Sequence, residues 1–420
     1  MTYQEFSKLR IVAFMFVMVF AATITSSAAT LNTITAFDWT NGAAPGAGLV
    51  LDPAGNLYGT TPSGGAYGYG TVFEISPAGG GWTETVLYSF CESTCPQGSS
   101  PQGALIINSA GNLYGTTAGG GAHDSGTVFE LSPATDGIWT ESVLYSFCAL
   151  TNCADGANPR AALIFGPNGE LYSTTLRGGT SGCYGTGCGV VFELSRGSDG
   201  QWNEGVLHAF SGGDDGASPI AGVIADGSGN LYGTTWLGGA QSAGVAFELS
   251  PDFGAWRESV LHTFCDSASC RGGAYPWAGL TFGSDGSLYG TTTAGGKQTI
   301  EVGIGYGVVF RLAQTAGVWE ETVLLAFSGS NGQAPYGGVI FDSNGDLFGT
   351  ATLGGECCGV AFELVPGSGS KWNESILHVF QGGNDGNGPY GTLVMDAAGH
   401  LYGTTEYGGA NGLGTVFQLK

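Results

Sequence analysis

Gly111-Asn112-Leu113-Tyr114-Gly115-Thr116-Thr117 decides how this chain is read, because its core, Leu-Tyr-Gly-Thr-Thr, returns seven times. Copies begin at Leu57, Leu113, Leu171, Leu231, Leu288, Leu347 and Leu401, so successive spacings are 56, 58, 60, 57, 59 and 54 residues. A proline stands 12 residues before each of these leucines: Pro45, Pro101, Pro159, Pro219, Pro276, Pro335 and Pro389. Seven matches in one register are an internal repeat, and the repeat sets the architecture.

Working outward from Leu113, each unit contains four short runs: Ala104–Ile107, Leu113–Thr117, Gly126–Leu131, and Trp139 with Val143–Phe147. They are β-branched and aromatic, and Gly, Pro, Asn and Asp punctuate them, which is the pattern of antiparallel strands and tight turns. A lone four-stranded sheet with apolar residues on both faces cannot bury itself and must lean on neighbours. Small residues at the start of the first run (Ala47-Gly48, Ala221-Gly222, Gly337-Gly338, Gly391-Thr392) suit an innermost strand, where units converge. The fold expected is all-β: a seven-bladed β-propeller of four-stranded antiparallel blades.

The ends predict closure. The last unit stops at Val416-Phe417-Gln418-Leu419-Lys420 and lacks its outer run, while Thr33-Ile34-Thr35-Ala36-Phe37 matches that run. An N-terminal strand completing the last blade, with Ile34 beside Phe417, removes two exposed sheet edges at once.

Composition narrows the function. The 420 residues include 78 Gly, 11 Lys plus Arg and 34 Asp plus Glu, for a formal charge of −23. So few cations release few counterions from a phosphate backbone, which excludes nucleic acid as a partner and disfavours anionic membranes. Lys8 and Arg10 precede an apolar run from Ile11 to Ile24 and the small residues Ser26-Ser27-Ala28-Ala29. Residues 1–29 therefore read as a signal peptide, 30–420 as a single domain without a membrane span, and the protein as a monomer secreted or held in the periplasm. An uncleaved anchor is the competing reading of the same run.

Ten cysteines fall into five local pairs: Cys91/Cys95, Cys148/Cys153, Cys183/Cys188, Cys265/Cys270 and Cys357/Cys358. After export the expectation is five short-range disulfides. Zinc competes weakly, because no histidine accompanies a pair.

At this point the repeat resembles a known family. Gly-Asn-Leu-Tyr-Gly-Thr-Thr, Gly-Gly-Ala, Gly-Thr-Val-Phe-Glu-Leu and Val-Leu-Tyr-Ser-Phe are similar to the GloVer-type tandem repeat of "choice-of-anchor" exported bacterial proteins, over residues 32–420. The resemblance implies export and differing terminal anchors, and supplies no catalytic residues. With Lys420 inside the last blade, free secretion or periplasmic residence is expected over surface retention.

Loops joining one blade to the next share a face with loops joining second and third strands, and both vary between units while the strands do not. That face collects Tyr67, Tyr69, Tyr184, Trp236, Tyr275, Trp277, Tyr336, Tyr390 and Tyr407, together with Asp214, Asp215 and Asp385. Flat rings beside carboxylates suit sugar recognition. The candidate ligand-binding set is Trp236, Trp277, Tyr336, Tyr390, Tyr407, Asp214, Asp215 and Asp385; the competing reading is that these rings only pack between loops. The function expected is a binding or scaffold protein for extracellular polysaccharide, against a carbohydrate-active hydrolase or lyase and an envelope protein-interaction module. No catalytic set and no cofactor is assigned. Asp214-Asp215-Gly216 and Asn384-Asp385-Gly386 offer oxygens to calcium, although Asp-Gly is also a common turn. Trp82, Trp139, Trp202, Trp256, Trp319 and Trp372, and the third-strand Glu74, Glu130, Glu193, Glu248 and Glu363, recur at fixed blade positions and read as construction residues. His208, His262 and His378 replace Tyr88 and Tyr145 in the outer strand and read the same way; His123, beside Asp124, lies in a variable loop.

Overall fold

A computed structural model describes residues 29–90, 96–134, 137–267, 269–297, 305–369 and 371–420. The leader read in residues 1–29 falls almost wholly outside them. Blade 2 shows the plan: inner strand Ile106–Ile107, second strand Leu113–Thr117, third strand Thr127–Pro133 and outer strand Trp139–Ser146, antiparallel and paired in that order. Six blades share it, and a seventh sheet is completed by Leu31–Ala36 on Thr415–Leu419, so the molecule is a closed seven-bladed β-propeller.

The closing strand reproduces even the irregularity of its counterparts. Each outer strand carries a bulge, as between Val128 and Phe129 of blade 2. In the last blade Thr33 opposes Phe417, Thr35 opposes Val416, and Ile34 is the extra residue of the bulge, one place from the register expected. Phe37 then donates its amide to Gly414 O at 3.0 Å, as Phe90 does to Gly70 O at 2.9 Å. Two further departures occur. The inner strands are two residues long, not four, because the small residues before them approach the neighbouring blade's backbone too closely to pair: a Cβ on Gly103 would stand 2.6 Å from Ala161 O. Blade 7 also gains Asn387–Pro389, which pairs with Leu401–Tyr407.

Seams between blades hold the core. The phenylalanine ending each outer strand meets the third-strand phenylalanine of the next blade edge-on, in seven pairs from Phe37–Phe73 to Phe380–Phe417, with centroids 5.0–5.5 Å apart. All of these rings but Phe380 and Phe417, themselves 0 % exposed, stand among the largest buried side chains. Farther along the seams, Trp82 packs on Tyr402, Trp139 on Tyr58, Trp256 on Tyr172, Trp319 on Tyr232 and Trp372 on Tyr289, which makes these tryptophans structural.

Leu-Tyr-Gly-Thr-Thr now has a reason at every place. Leu113 is buried. Tyr114 donates its hydroxyl to the third-strand Glu130 at 2.8 Å, as Tyr58 does to Glu74 and Tyr232 to Glu248. A Cβ on Gly115 would sit 2.6 Å from the Phe129 ring. Thr116 donates to the next blade, to Ala161 O at 2.9 Å, and Thr60, Thr174, Thr234, Thr291 and Thr404 do the same at their seams. Thr117 donates to Gly119 O and accepts from the Thr127 amide, closing its loop.

Cys148–Cys153, Cys183–Cys188, Cys265–Cys270 and the vicinal Cys357–Cys358 are disulfides. The fifth bond expected, between Cys91 and Cys95, is not among them, because Cys91 and Cys95 both lie outside the described residues; the expectation of five is thus met by four. Four such bonds fit an oxidising, extracellular or periplasmic setting. Among the described residues no helix is long and apolar enough to cross a membrane.

Candidate functional site

The recurring proline positions the site. The residue before it has a positive φ in every blade: 57° at Ala44, 55° at Ser100, 58° at Asn158, 55° at Ser218, 60° at Tyr275, 51° at Ala334 and 69° at Gly388. A side chain before proline avoids that region, so the conformation is imposed from outside. Its amide donates to the preceding blade, as from Asn158 to Ser125 O at 2.7 Å and from Tyr275 to Ala243 O at 2.8 Å. The proline ring then lies against a glycine of that blade, where a Cβ on Gly126 would meet Pro159 at 2.6 Å.

The residue after the proline is thereby held at one station in all seven blades. Gly46, Gln102, Arg160, Ile220, Trp277, Tyr336 and Tyr390 all line a cavity of about 650 Å³ whose walls are the inner segments of the ring. That volume lies within the range of small-ligand sites, roughly 300–1,000 Å³.

Three of the seven stations are aromatic and adjacent. Tyr336 and Tyr390 stack at 4.5 Å with an interplanar angle of 9°, across the seam between blades 6 and 7. Trp277 meets Tyr336 edge-on at 5.1 Å and Tyr390 at 6.2 Å, and Trp236 packs on Trp277 at 5.6 Å from behind. The rings fix one another's orientation, so the platform is formed before any ligand arrives. Burial first, then the Glu406 carboxylate, pushes the Tyr336 phenol up; burial, Tyr336 and Glu406 raise Tyr390. Both therefore stay neutral hydroxyl donors.

Opposite the rings stand Arg160 and Gln102. Arg160 donates from Nε to Asn158 Oδ1 at 2.7 Å, and Gln102 donates to Ser100 Oγ at 3.2 Å. Burial, and then the neighbouring Arg177, lower the Arg160 pKa, while Tyr390 pushes it the other way. Glu406 also lines the cavity and accepts the Tyr407 hydroxyl at 2.9 Å.

Of the residues singled out from the sequence, Trp277, Tyr336 and Tyr390 meet in this cavity, Trp236 supports them, and Tyr407 stands beside Glu406, about half exposed. Asp214, Asp215 and Asp385 are not part of its lining. Asp215 accepts from the Ser211 amide and hydroxyl and stands 3.5 Å from His208 Nε2; Asp385 accepts from the Gln381 amide and pairs with His378 at 3.1 Å. They close the turn after the outer strand, as the buried Asp155 does with Tyr145 in blade 3's lead-in. Tyr69 belongs to the core between blades 1 and 2, Tyr275 packs with Cys265 and Cys270, and Tyr67 and Tyr184 are exposed. In the His123 loop Asp124 accepts from the Gly120 amide. Among the described residues no group of three or more His, Cys, Asp and Glu is arranged to hold a metal ion. Arg160, Gln102 and Glu406 were not anticipated; for the first two the signal was present, as the residue after each register-locked proline.

A solved structure described as a putative oxidoreductase (glucose dehydrogenase) from Thermus thermophilus is similar over 93 % of this chain and 100 % of its own, at 14 % identity and a TM-score of 0.42. No curated protein matches the chain. The family model of the Gloeobacter/Verrucomicrobia repeat matches residues 18–186 and 299–420, and with two thirds of its length so matched the chain belongs to that repeat family.

Proposed function

We propose that this protein is an exported binding module that seats a saccharide in the axial cavity, one sugar ring lying on the platform of Trp277, Tyr336 and Tyr390. The observation that carries this reading is the position of the three rings. They occupy equivalent stations on consecutive blades, pre-oriented by each other, in a cavity of about 650 Å³. Neutral phenols supply donors, Gln102 supplies an amide, and Glu406 supplies an acceptor, so hydroxyls find partners beside an apolar face. The lining supplies one carboxylate, Glu406, where a glycosidase works with a pair held about 5–10 Å apart, which favours binding over hydrolysis.

Affinity electrophoresis of the mature chain in gels containing single polysaccharides tests the proposal. Retardation by at least one, lost in Trp277→Ala and weakened in Trp236→Ala, is the expected result. Equal retardation of all three proteins would place binding elsewhere. Release of reducing ends from the retarding polymer would establish the enzyme instead, and capture of an envelope protein with no glycan affinity would establish the interaction module.

A further inference from the structure

Arg160 is the one charged residue among the seven post-proline stations, and its surroundings are unlike those of an ordinary surface arginine. The chain carries 34 acidic residues against 11 basic ones, so a guanidinium should find a carboxylate easily. Among the described residues the arginine–carboxylate ion pair is Arg311 with Asp285; Arg160 has none. Its single hydrogen bond runs from Nε to the neutral Asn158 amide oxygen, which leaves both terminal NH2 groups without a protein acceptor. It is half-buried, and its nearest charged neighbour is a second cation, Arg177. A desolvated guanidinium beside another cation is costly unless an anion joins it, and the planar fork of arginine matches a carboxylate with two parallel N–H···O bonds.

We propose that the cavity selects a saccharide bearing a single carboxylate, a uronic-acid residue, with Arg160 reading the acid while the aromatic platform holds the ring. The inference rests on the saccharide-binding reading and narrows it. One carboxylate is the right number for two reasons. Glu406 lines the same cavity and repels a second anion placed near it. Outside the cavity the −23 chain repels a polyanion, although salt screens this beyond about 10 Å.

The test uses isothermal titration with two matched probes, xylotriose carrying one glucuronic acid and unsubstituted xylotriose, against the mature wild type, Arg160→Met, Arg160→Lys and Trp277→Ala. Melting curves first establish that each variant is folded. The acidic probe is expected to bind roughly tenfold to a hundredfold tighter than the neutral one. Arg160→Met should bring that ratio to about one without weakening the neutral probe, Arg160→Lys should keep part of it, and salt should erode it. Equal affinity for the two probes, unchanged in Arg160→Met but abolished by Trp277→Ala, would overturn the acid selection and leave the saccharide site standing. No heat with either probe, or full binding in Trp277→Ala, would overturn both.

Discussion

The two arcs of the axial mouth share one backbone and differ in almost everything else. From blade 5 to blade 7 the post-proline stations are Trp277, Tyr336 and Tyr390, packed into one cluster; from blade 1 to blade 3 they are Gly46, Gln102 and Arg160, which do not touch one another through rings. Lead-in conformation, proline packing and the amide clamp to the preceding blade are the same in both arcs. The scaffold therefore does not require the aromatic side chains, and the same station tolerates glycine. Variation concentrated at one station of an otherwise invariant ring is variation in what the ring meets.

The largest effect comes from breaking the junction where the arcs meet, the seam between blade 7 and blade 1 that Leu31–Ala36 and Phe37 close. Deleting residues 30–40 strips the third strand of blade 7 of its partner and removes a fully buried phenylalanine. Loss of that ring alone is worth about 3 kcal/mol or more, and at roughly 2–4 °C per kcal/mol the melt should fall by about 10 °C or more. Exposed edges should also drive aggregation. Size-exclusion chromatography and calorimetry of the deletion beside the mature chain measure both, and an unchanged melt would remove ring closure as a source of stability.

That seam was legible in the sequence because Thr33–Phe37 carries the same apolar pattern as the six outer strands that precede a phenylalanine. Its register was off by one residue at Ile34, since a bulge leaves no mark in composition. The aromatic arc was half legible: counting rings in variable loops found Trp277, Tyr336 and Tyr390. Arg160 was missed because the search went by residue type, aromatic plus acid, and not by station. Asp215 and Asp385 were over-read for the converse reason. An Asp-Gly turn looks the same whether its carboxylate is free or committed to amides and a histidine in its own loop. What makes the prolines informative, a left-handed residue before each, depends on hydrogen bonds from another blade and cannot be read locally.

Acid–base behaviour separates the arcs more sharply. Each of the first six outer strands carries a glutamate two residues after its tryptophan, and every one of the six has a buried carboxylate oxygen without a hydrogen-bond partner. Burial pushes Glu141 and Glu258 up to about 7, the latter helped by Asp215; it pushes Glu204 and Glu321 up to about 8, helped by Asp155 and Asp266. These four lie in seams from blade 1 to blade 5. Toward the aromatic arc the same position is eased: Glu84 accepts from Thr35 and Asn41, Glu374 accepts from Asn331, and the closing strand has Leu31 instead. A carboxyl whose folded pKa is raised stabilises the fold fully below its unfolded value, near 4.3, and loses that contribution as pH climbs through 7 to 8. The mature protein should therefore melt higher at pH 5.5 than at pH 9. Glu204→Gln with Glu321→Gln, neutral at both, should recover roughly 2 °C or more at pH 9. A double variant whose pH profile parallels the wild type would show that water or ions already compensate these seams.

The smallest effect compares single hydroxyls at matched inner seams. Thr116 donates across its seam to Ala161 O, whereas Thr350, in the corresponding place of blade 6, is buried with no partner for its oxygen. Valine keeps the shape and removes the hydroxyl in each. Thr116→Val should cost about 1 kcal/mol, because a satisfied pair is broken and a buried carbonyl is left behind. Thr350→Val should cost nothing or stabilise slightly, because an unpaired polar group leaves the interior. The blade 6–7 seam that lacks this hydrogen bond is the one the Tyr336–Tyr390 stack spans, so the aromatic arc takes from its rings what the open arc takes from threonine. Urea midpoints of the two valine variants, each with and without Tyr390→Ala, measure that exchange. Tyr390→Ala should lower stability by about 1 kcal/mol more than its lost burial if the stack holds the seam, and this excess should be the same in the Thr116→Val and Thr350→Val backgrounds. An equal cost for both threonines would mean that the hydroxyl acts in packing and not across the seam.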